Sequence, residues 1–228
     1  MNHSVVPAAT IVLLRESKAE LEVLLLRRNP DLAFAANNWV FPGGKVEPEE
    51  INHECGDLFR ASKIAAIREC LEETQVDISK LELTPISHWT TPKFRPKRFA
   101  TQFFISKLPN ACDVTVDQSE IIEFQWLSAT NAIQKHQDNE LVMMPPTLVT
   151  LNEISKFNRY EDIIKYYSER ENRSYNPRMK IHENDDHVDA SFLYEGDSGY
   201  DQTDPLIQNH LNRCEMKNGV IKYICNID

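Results

Sequence analysis

Positive charge is in short supply in this chain: 25 Lys and Arg stand against 35 Asp and Glu over 228 residues, a formal net charge of −10. Proteins that grip nucleic acid through its phosphates need a basic surface, so nucleic acid is not an expected partner. A disulfide framework is missing as well. The five cysteines (Cys55, Cys70, Cys112, Cys214, Cys225) are odd in number and form no CxxC pair, which favours a reducing interior. Long apolar runs are absent. The run 5–14 is too short to span a bilayer and no Lys or Arg precedes Arg15, so neither a signal peptide nor a membrane span is expected. The expectation is a cytoplasmic protein with no membrane partner. No internal repeat is present.

What is there is an ordinary globular composition, 41% hydrophobic and 26% charged. The length suits one domain of roughly 135 residues plus an extension. The division expected is 5–140 for the domain and 141–228 for the extension. Residues 5–14 and 21–27 are short aliphatic runs separated by a polar stretch, and they predict a strand hairpin. Trp39-Val40-Phe41 predicts a further strand, stopped by the turn Pro42-Gly43-Gly44. Ile64, Ile67 and Leu71 recur at helical spacing, so 59–74 predicts an amphipathic helix with those residues facing the core. Strands are expected at 82–90, 98–106 and 121–127, with the basic loop TTPKFRPK between the first two. Ser128 is placed to cap a short helix. Helices are expected from Pro145 to about 157 and over about 160–170. After Glu171 the composition turns acidic and aperiodic, predicting a loop-rich segment that ends in a strand at 220–225.

The informative stretch is Arg68-Glu69-Cys70-Leu71-Glu72-Glu73. On a helix, Glu69, Glu72 and Glu73 stand at i, i+3 and i+4 and share one face. A solvated acidic face is the plain alternative. Yet Glu69 and Glu73 repel each other, and the Arg68–Glu72 pair returns only about 0.2–0.5 kcal/mol. A divalent cation would remove that repulsion, and oxygen ligands suit Mg²⁺ or Mn²⁺.

Upstream lies Trp39-Val40-Phe41-Pro42-Gly43-Gly44-Lys45-Val46-Glu47, a strand entering a glycine turn, where backbone can approach a metal or phosphate closely. Strand, turn and carboxylate helix in this order resemble the Nudix signature: Gly, five residues, Glu, seven residues, then Arg-Glu-apolar-x-Glu-Glu-x-Gly-apolar. Gly44 and Glu50 match its first half; Arg68, Glu69, Cys70, Glu72, Glu73 and Val76 match its second. Two departures stand out. About ten residues are inserted between Glu50 and Arg68, around 52–58, which leaves Glu47, Glu49 and Glu50 without assigned roles. Gln75 stands where the signature has a helix-ending glycine, at a cost of roughly 1 kcal/mol if φ is positive there. The wider segments LEVLLLRRNPDLAFAANNWVFPGGKVEPEE, AAIRECLEET, TPKFRPKRFATQFF and EIIEFQWLSATNAI resemble the branch of the family that contains the mammalian peroxisomal coenzyme A diphosphatase and many bacterial relatives. The likeness covers about 8–157. The final residues, Cys225-Asn226-Ile227-Asp228, do not resemble a peroxisomal address.

The resemblance implies an α/β/α sandwich with a mixed curved sheet, and a C-terminal helical and loop-rich extension. It implies metal-dependent hydrolysis of a diphosphate bond in a nucleoside diphosphate joined to another group. A coenzyme A-like substrate is favoured, with ADP-ribose or a dinucleotide next. A non-catalytic nucleotide-sensing module is the reading from another class, and such modules often lose the carboxylates that are kept here. By resemblance, Glu69, Glu72 and Glu73, with a carbonyl at Gly43 or Gly44, would hold Mg²⁺ or Mn²⁺, and Arg68 would orient its neighbours. The resemblance makes Glu69 and Glu73 the expected catalytic carboxylates. Glu120, six residues before Trp126, is the candidate general base, with Glu123 as rival and an outward-facing strand position as the plain reading of Glu123.

Arg27, Arg28, Lys93, Arg95, Lys97 and Arg98 are candidate phosphate contacts against a solvated alternative; Arg28 and Arg98 are carried forward as substrate-binding residues. His182 and His187 with Asp185 and Asp186 read as a solvated polar loop rather than a second metal site. Trp89 and Trp126 read as core. Residues 172–228 leave two uses open, covering the pocket or docking a second copy of the chain in a homodimer.

Overall fold

The computed structural model describes residues 5–17, 20–93, 95, 97–109, 112–183, 188–201 and 209–227. His187, Asp185 and Asp186 lie outside them. The first two strands, β1 (Val5–Ser17) and β2 (Glu20–Arg28), form the expected hairpin. Next come β3 (Trp39–Val40), β4 (Gly43–Lys45), helix α1 (Pro48–His53) and helix α2 (Leu58–Thr74). After them run β5 (Thr84–Thr90), β6 (Arg98–Lys107), β7 (Ile121–Ser128), α3 (Ala129–Gln137), α4 (Pro145–Ile154) and α5 (Tyr160–Ser168). The Ser128 hydroxyl accepts from the Asn131 amide at 3.4 Å, the cap expected of it.

The main sheet is mixed, in the order β3-β2-β1-β6-β5-β8, where β8 is Arg173–Tyr175; β4 also pairs with β1, and β7 with β2. β1 and β6 run parallel over ten residue pairs, and β5 and β8 are parallel too. Both faces are covered, which explains why β1 and β2 read as continuous aliphatic runs rather than alternating ones. Ala9, Ile11, Leu13, Leu24 and Leu26 point to the face covered by α2. Val12, Leu14, Val23 and Leu25 point to the face covered by α3, α4 and α5, with Ala132, Leu148, Leu151 and Ile163 against them. This is the α/β/α sandwich.

Two expectations are corrected. Of Ile64, Ile67 and Leu71, only Ile67 packs against the core, and it is partly buried; Leu71 is 46% exposed, and the buried positions of α2 are Ala61, Ser62, Ala65, Ala66, Cys70, Glu73 and Thr74. Small side chains let the helix lie close on β1, so its seam is set by size rather than by greasiness. The acidic C-terminal segment, expected to hold one strand at 220–225, carries more strands than that among the described residues. It holds β9 (Arg178–Glu183), β10 (Val188–Leu193), β11 (Asn212–Lys217) and β12 (Val220–Cys225) in an antiparallel sheet ordered β12-β11-β10-β9. That sheet shares the main core: Tyr194 and Cys214 are fully buried in the same cluster as Trp89 and Tyr175. Among the described residues no helix is long and apolar enough to cross a membrane.

Candidate active site

The site grows from the strand–turn–helix run. Gly43 and Gly44 open β4, paired to Thr10 and Ala9 of β1. Gly43 has φ +154°, and a Cβ there would collide with the Ala9 carbonyl. A Cβ on Gly44 would occupy the space filled by the Glu69 carboxylate. Gly43 therefore lets the turn lie close on β1, and Gly44 lets backbone lie close on the Glu69 carboxylate of α2. The Gly43 amide donates to Glu73 Oε2 at 2.9 Å. Glu73 is only 6% exposed, and burial pushes its pKa up to about 8 despite that hydrogen bond; Glu69 and Glu120 push it the same way and Arg28 opposes them. Burial also raises the pKa of Glu69, against the pull of Arg68.

Arg68 holds the cluster in register. Its Nε donates to Glu50 Oε1 at 2.9 Å, and its Nη1 to Glu69 Oε1 at 2.9 Å and to Glu72 Oε2 at 3.0 Å. Its Nη2 donates to the Lys45 carbonyl at 2.9 Å. Burial alone would lower the Arg68 pKa, but the hydrogen bonds to Glu50 and Glu69 outweigh it and raise it.

Glu50, left open by the sequence, is thus the buried partner that fixes Arg68. Its other oxygen accepts from the Glu47 amide at 2.7 Å, closing a capping box on α1. A signal existed in Glu47-Pro48-x-Glu50, a proline-led helix start with an acid three residues after the cap. The insertion, around 52–58, falls in the end of α1, the turn after it and the start of α2. Gln75 ends α2 in the left-handed region, φ 59°, its amide bonded to the Leu71 carbonyl at 2.9 Å. Cys70 is buried with its pKa pushed to about 12, so it stays a thiol.

The other expected residues are distributed unevenly. Glu72 points outward, its side chain 57% exposed on Arg68. Glu120 sits at the head of β7, 61% exposed, 3.6 Å from Arg28 Nη2 and close enough to Glu69 and Glu73 to raise both. Arg28 is brought to the cluster. Glu123 is not: it faces Arg27 on the other side of the sheet edge, at 3.1 Å. Arg98 donates to the Thr91 carbonyl at 3.0 Å, and among the described residues no contact joins it to the carboxylates. Trp89 is core at 4% exposure, and Trp126 lies under the Arg15 guanidinium, 4.3 Å from it. His182 hydrogen-bonds Ser191 on the C-terminal sheet.

Among the described residues no three His, Cys, Asp or Glu side chains are gathered tightly enough to hold an ion as they stand. The donor set nevertheless fits a hard divalent cation in its chemistry. It is all oxygen, and two of its carboxylates are desolvated and repel each other, so positive charge is the missing component.

Residues 5–145 match the NUDIX domain family model, well over half of the chain. The chain belongs to the Nudix hydrolase family, whose members generally use divalent metals and act on small nucleotide-like substrates. Among curated proteins it is 26% identical over 194 residues to "Putative nudix hydrolase 7" of Caenorhabditis elegans, covering 70% of this chain and 63% of that protein. It is 28% identical over 162 residues to "Acyl-coenzyme A diphosphatase NUDT19" of Homo sapiens, covering 70% of this chain and 42% of that one. A Xenopus laevis protein of the same name is 21% identical, with 68% and 65% covered. The chain thus spans 42–65% of these relatives' lengths. A solved Nudix hydrolase from Alicyclobacillus acidocaldarius superposes with TM-score 0.66 at 20% identity, over 72% of this chain and 97% of that one, and shares the fold.

Proposed function

We propose that this protein hydrolyses the diphosphate bond of a nucleoside diphosphate joined to a second group, with coenzyme A-like molecules as the favoured substrates. The observation that carries the reading is the buried, proton-hungry Glu73 carboxylate, backed by the Gly43 amide and set beside Glu69 on a helix that Arg68 and Glu50 lock in place. A structural role explains this poorly, because an unneutralised buried carboxylate is costly. The names of the human and Xenopus relatives support the substrate class.

In this reading Glu69, Glu72 and Glu73, with a carbonyl at Gly43 or Gly44, would hold Mg²⁺ or Mn²⁺. Such cations neutralise charge on the phosphate oxygens and lower the pKa of an attacking water. Arg68 keeps Glu69 and Glu72 aimed, and Glu72 would complete the oxygen set for the cation. Glu120, exposed at the rim and next to Arg28, takes the proton from water. Arg28 faces the substrate phosphates. Arg98 enters the proposal only through the neighbourhood of its strand.

The test is hydrolysis of a panel (coenzyme A, acyl-coenzyme A, ADP-ribose, a diadenosine polyphosphate) with Mg²⁺ or Mn²⁺. Coenzyme A-type compounds are expected to give two phosphorus-containing products, and Glu73→Gln to lower kcat by at least a hundredfold while leaving substrate bound. Cleavage that persists in Glu73→Gln would remove the site assignment. No cleavage of any compound would remove the function.

A further inference from the structure

Residues 29–38 join β2 to β3 and are held unusually firmly for a surface loop. The Asn29 amide donates to the Glu120 carbonyl at 2.8 Å, and its side chain to the Ser119 carbonyl at 2.8 Å. Arg27 grips Asn37 Oδ1 through two nitrogens, at 2.9 and 2.8 Å, and Arg28 Nε reaches the Phe34 carbonyl at 3.4 Å. Ala35 and Asn37 both take left-handed backbone, φ 51° and 60°. For alanine that conformation costs about 1–2 kcal/mol, a strain that persists only where the surroundings impose it. What the loop holds up is an aromatic ring. Phe34 is 42% exposed, with its centroid 5.4 Å from that of Phe99 at a tilt of 53°, so the pair leaves ring surface open. Phe99 begins β6 beside Arg98, with Lys97 Nζ 5.4 Å from its ring. Phe34 is one of several large apolar side chains left exposed, and what marks it out is the strained backbone that carries it.

Position explains that strain. Arg28, which meets the Phe34 carbonyl, also lies 3.6 Å from Glu120, so the backbone of the loop that carries Phe34 stands one residue contact from the candidate site. We propose that Phe34, braced by Phe99, is a stacking platform for the planar base of the substrate's nucleoside, a specificity element that rests on the diphosphate-hydrolase reading. Arg28 takes the adjoining phosphate, so base and diphosphate are held a fixed distance apart. Stacking of a base on an aromatic side chain tolerates different bases and is worth about five- to a hundredfold in affinity.

Calorimetric titration of the full chain in Mg²⁺ tests this, with ADP and the baseless ribose 5-diphosphate as probes. The wild type is expected to prefer ADP by about five- to a hundredfold. Phe34→Ala is expected to abolish that preference with ribose 5-diphosphate binding unchanged, and Phe34→Trp to keep it, both variants melting like the wild type. Equal weakening of both probes would make Phe34 a loop brace and overturn the platform, as would an ADP preference that ignores Phe34. The readout is binding, so the two proposals fail separately. A protein that reads ADP through Phe34 but cleaves no diphosphate loses its enzymatic reading and keeps the platform.

Discussion

Glu73 is buried to 6% exposure and accepts a hydrogen bond from the Gly43 amide, yet burial still lifts its pKa to about 8. In the unfolded chain the same side chain titrates near the ordinary glutamate value of about 4.3. Between those values the folded metal-free protein carries a proton that the unfolded chain does not, so stability falls as pH rises through that window. Below it both states are protonated and the full contribution is present; above about 8 it is lost. With about 1.4 kcal/mol for each tenfold change in proton affinity, the loss is a few kcal/mol, or on the order of 5–15 °C in Tm. Melting the chelated protein at pH 6 and pH 8.5, alongside Glu73→Gln, isolates the term. The wild type is expected to lose stability relative to the variant as pH rises, and parallel curves would contradict the burial argument. Added Mg²⁺ should flatten the wild-type curve at high pH, because a cation takes the proton's place.

At the scale of elements, α2 shows both what its sequence discloses and what it hides. Its extent and its acidic positions are readable, because helical spacing and residue type are local properties. Its buried face is not, because Ala61, Ala65 and Ala66 carry little hydrophobic signal while Ile64 and Leu71 carry much; the seam is chosen by how closely β1 can approach. The role of Glu50 stays open in the sequence for a related reason. The insertion moves it in sequence while the turn before α2 returns it in space to Arg68. Gln75, by contrast, is legible: a side chain at the signature's glycine position does adopt positive φ. Gln75→Gly should therefore relieve strain, partly offset by greater freedom of the unfolded chain, and stabilise by up to about 1 kcal/mol. For a chain of this size that is a rise of about 2–4 °C in Tm, readable by calorimetry, with hydrolysis rates unchanged. A fall in Tm would mean that the Gln75 side chain contributes contacts outweighing its backbone strain.

The whole molecule is tied together where local sequence says least. Strands β10 and β11 pair across the segment 194–211, and such long-range pairing leaves no periodic trace in an acidic stretch. What fastens that sheet to the sandwich is an aromatic and ionic knot. Trp89 stacks on Tyr175 with centroids 4.0 Å apart and planes 7° from parallel, and Tyr194 packs edge-on to both rings. Beneath them Glu153 of α4, its side chain 6% exposed, meets Arg170 at 3.1 Å and Arg173 at 3.5 Å and accepts from the Tyr167 hydroxyl at 2.9 Å and the Tyr175 hydroxyl at 3.3 Å. One carboxylate thus joins α4, α5 and β8, and through β8 the edge of the main sheet. Replacing it by alanine strands Arg170, whose side chain is only 15% exposed, without its counter-ion, and breaking a buried pair from one side costs about 3–5 kcal/mol. Glu153→Ala is therefore expected to lower the urea midpoint strongly, while the proposed diphosphate hydrolysis, measured well below the transition, keeps its wild-type kcat, since among the described residues nothing in the knot touches the carboxylate cluster on the opposite face of the sheet. A variant that unfolds like the wild type would show that Arg170 and Arg173 find other partners, and one that stays folded but loses kcat would show that the two faces of the sandwich are coupled.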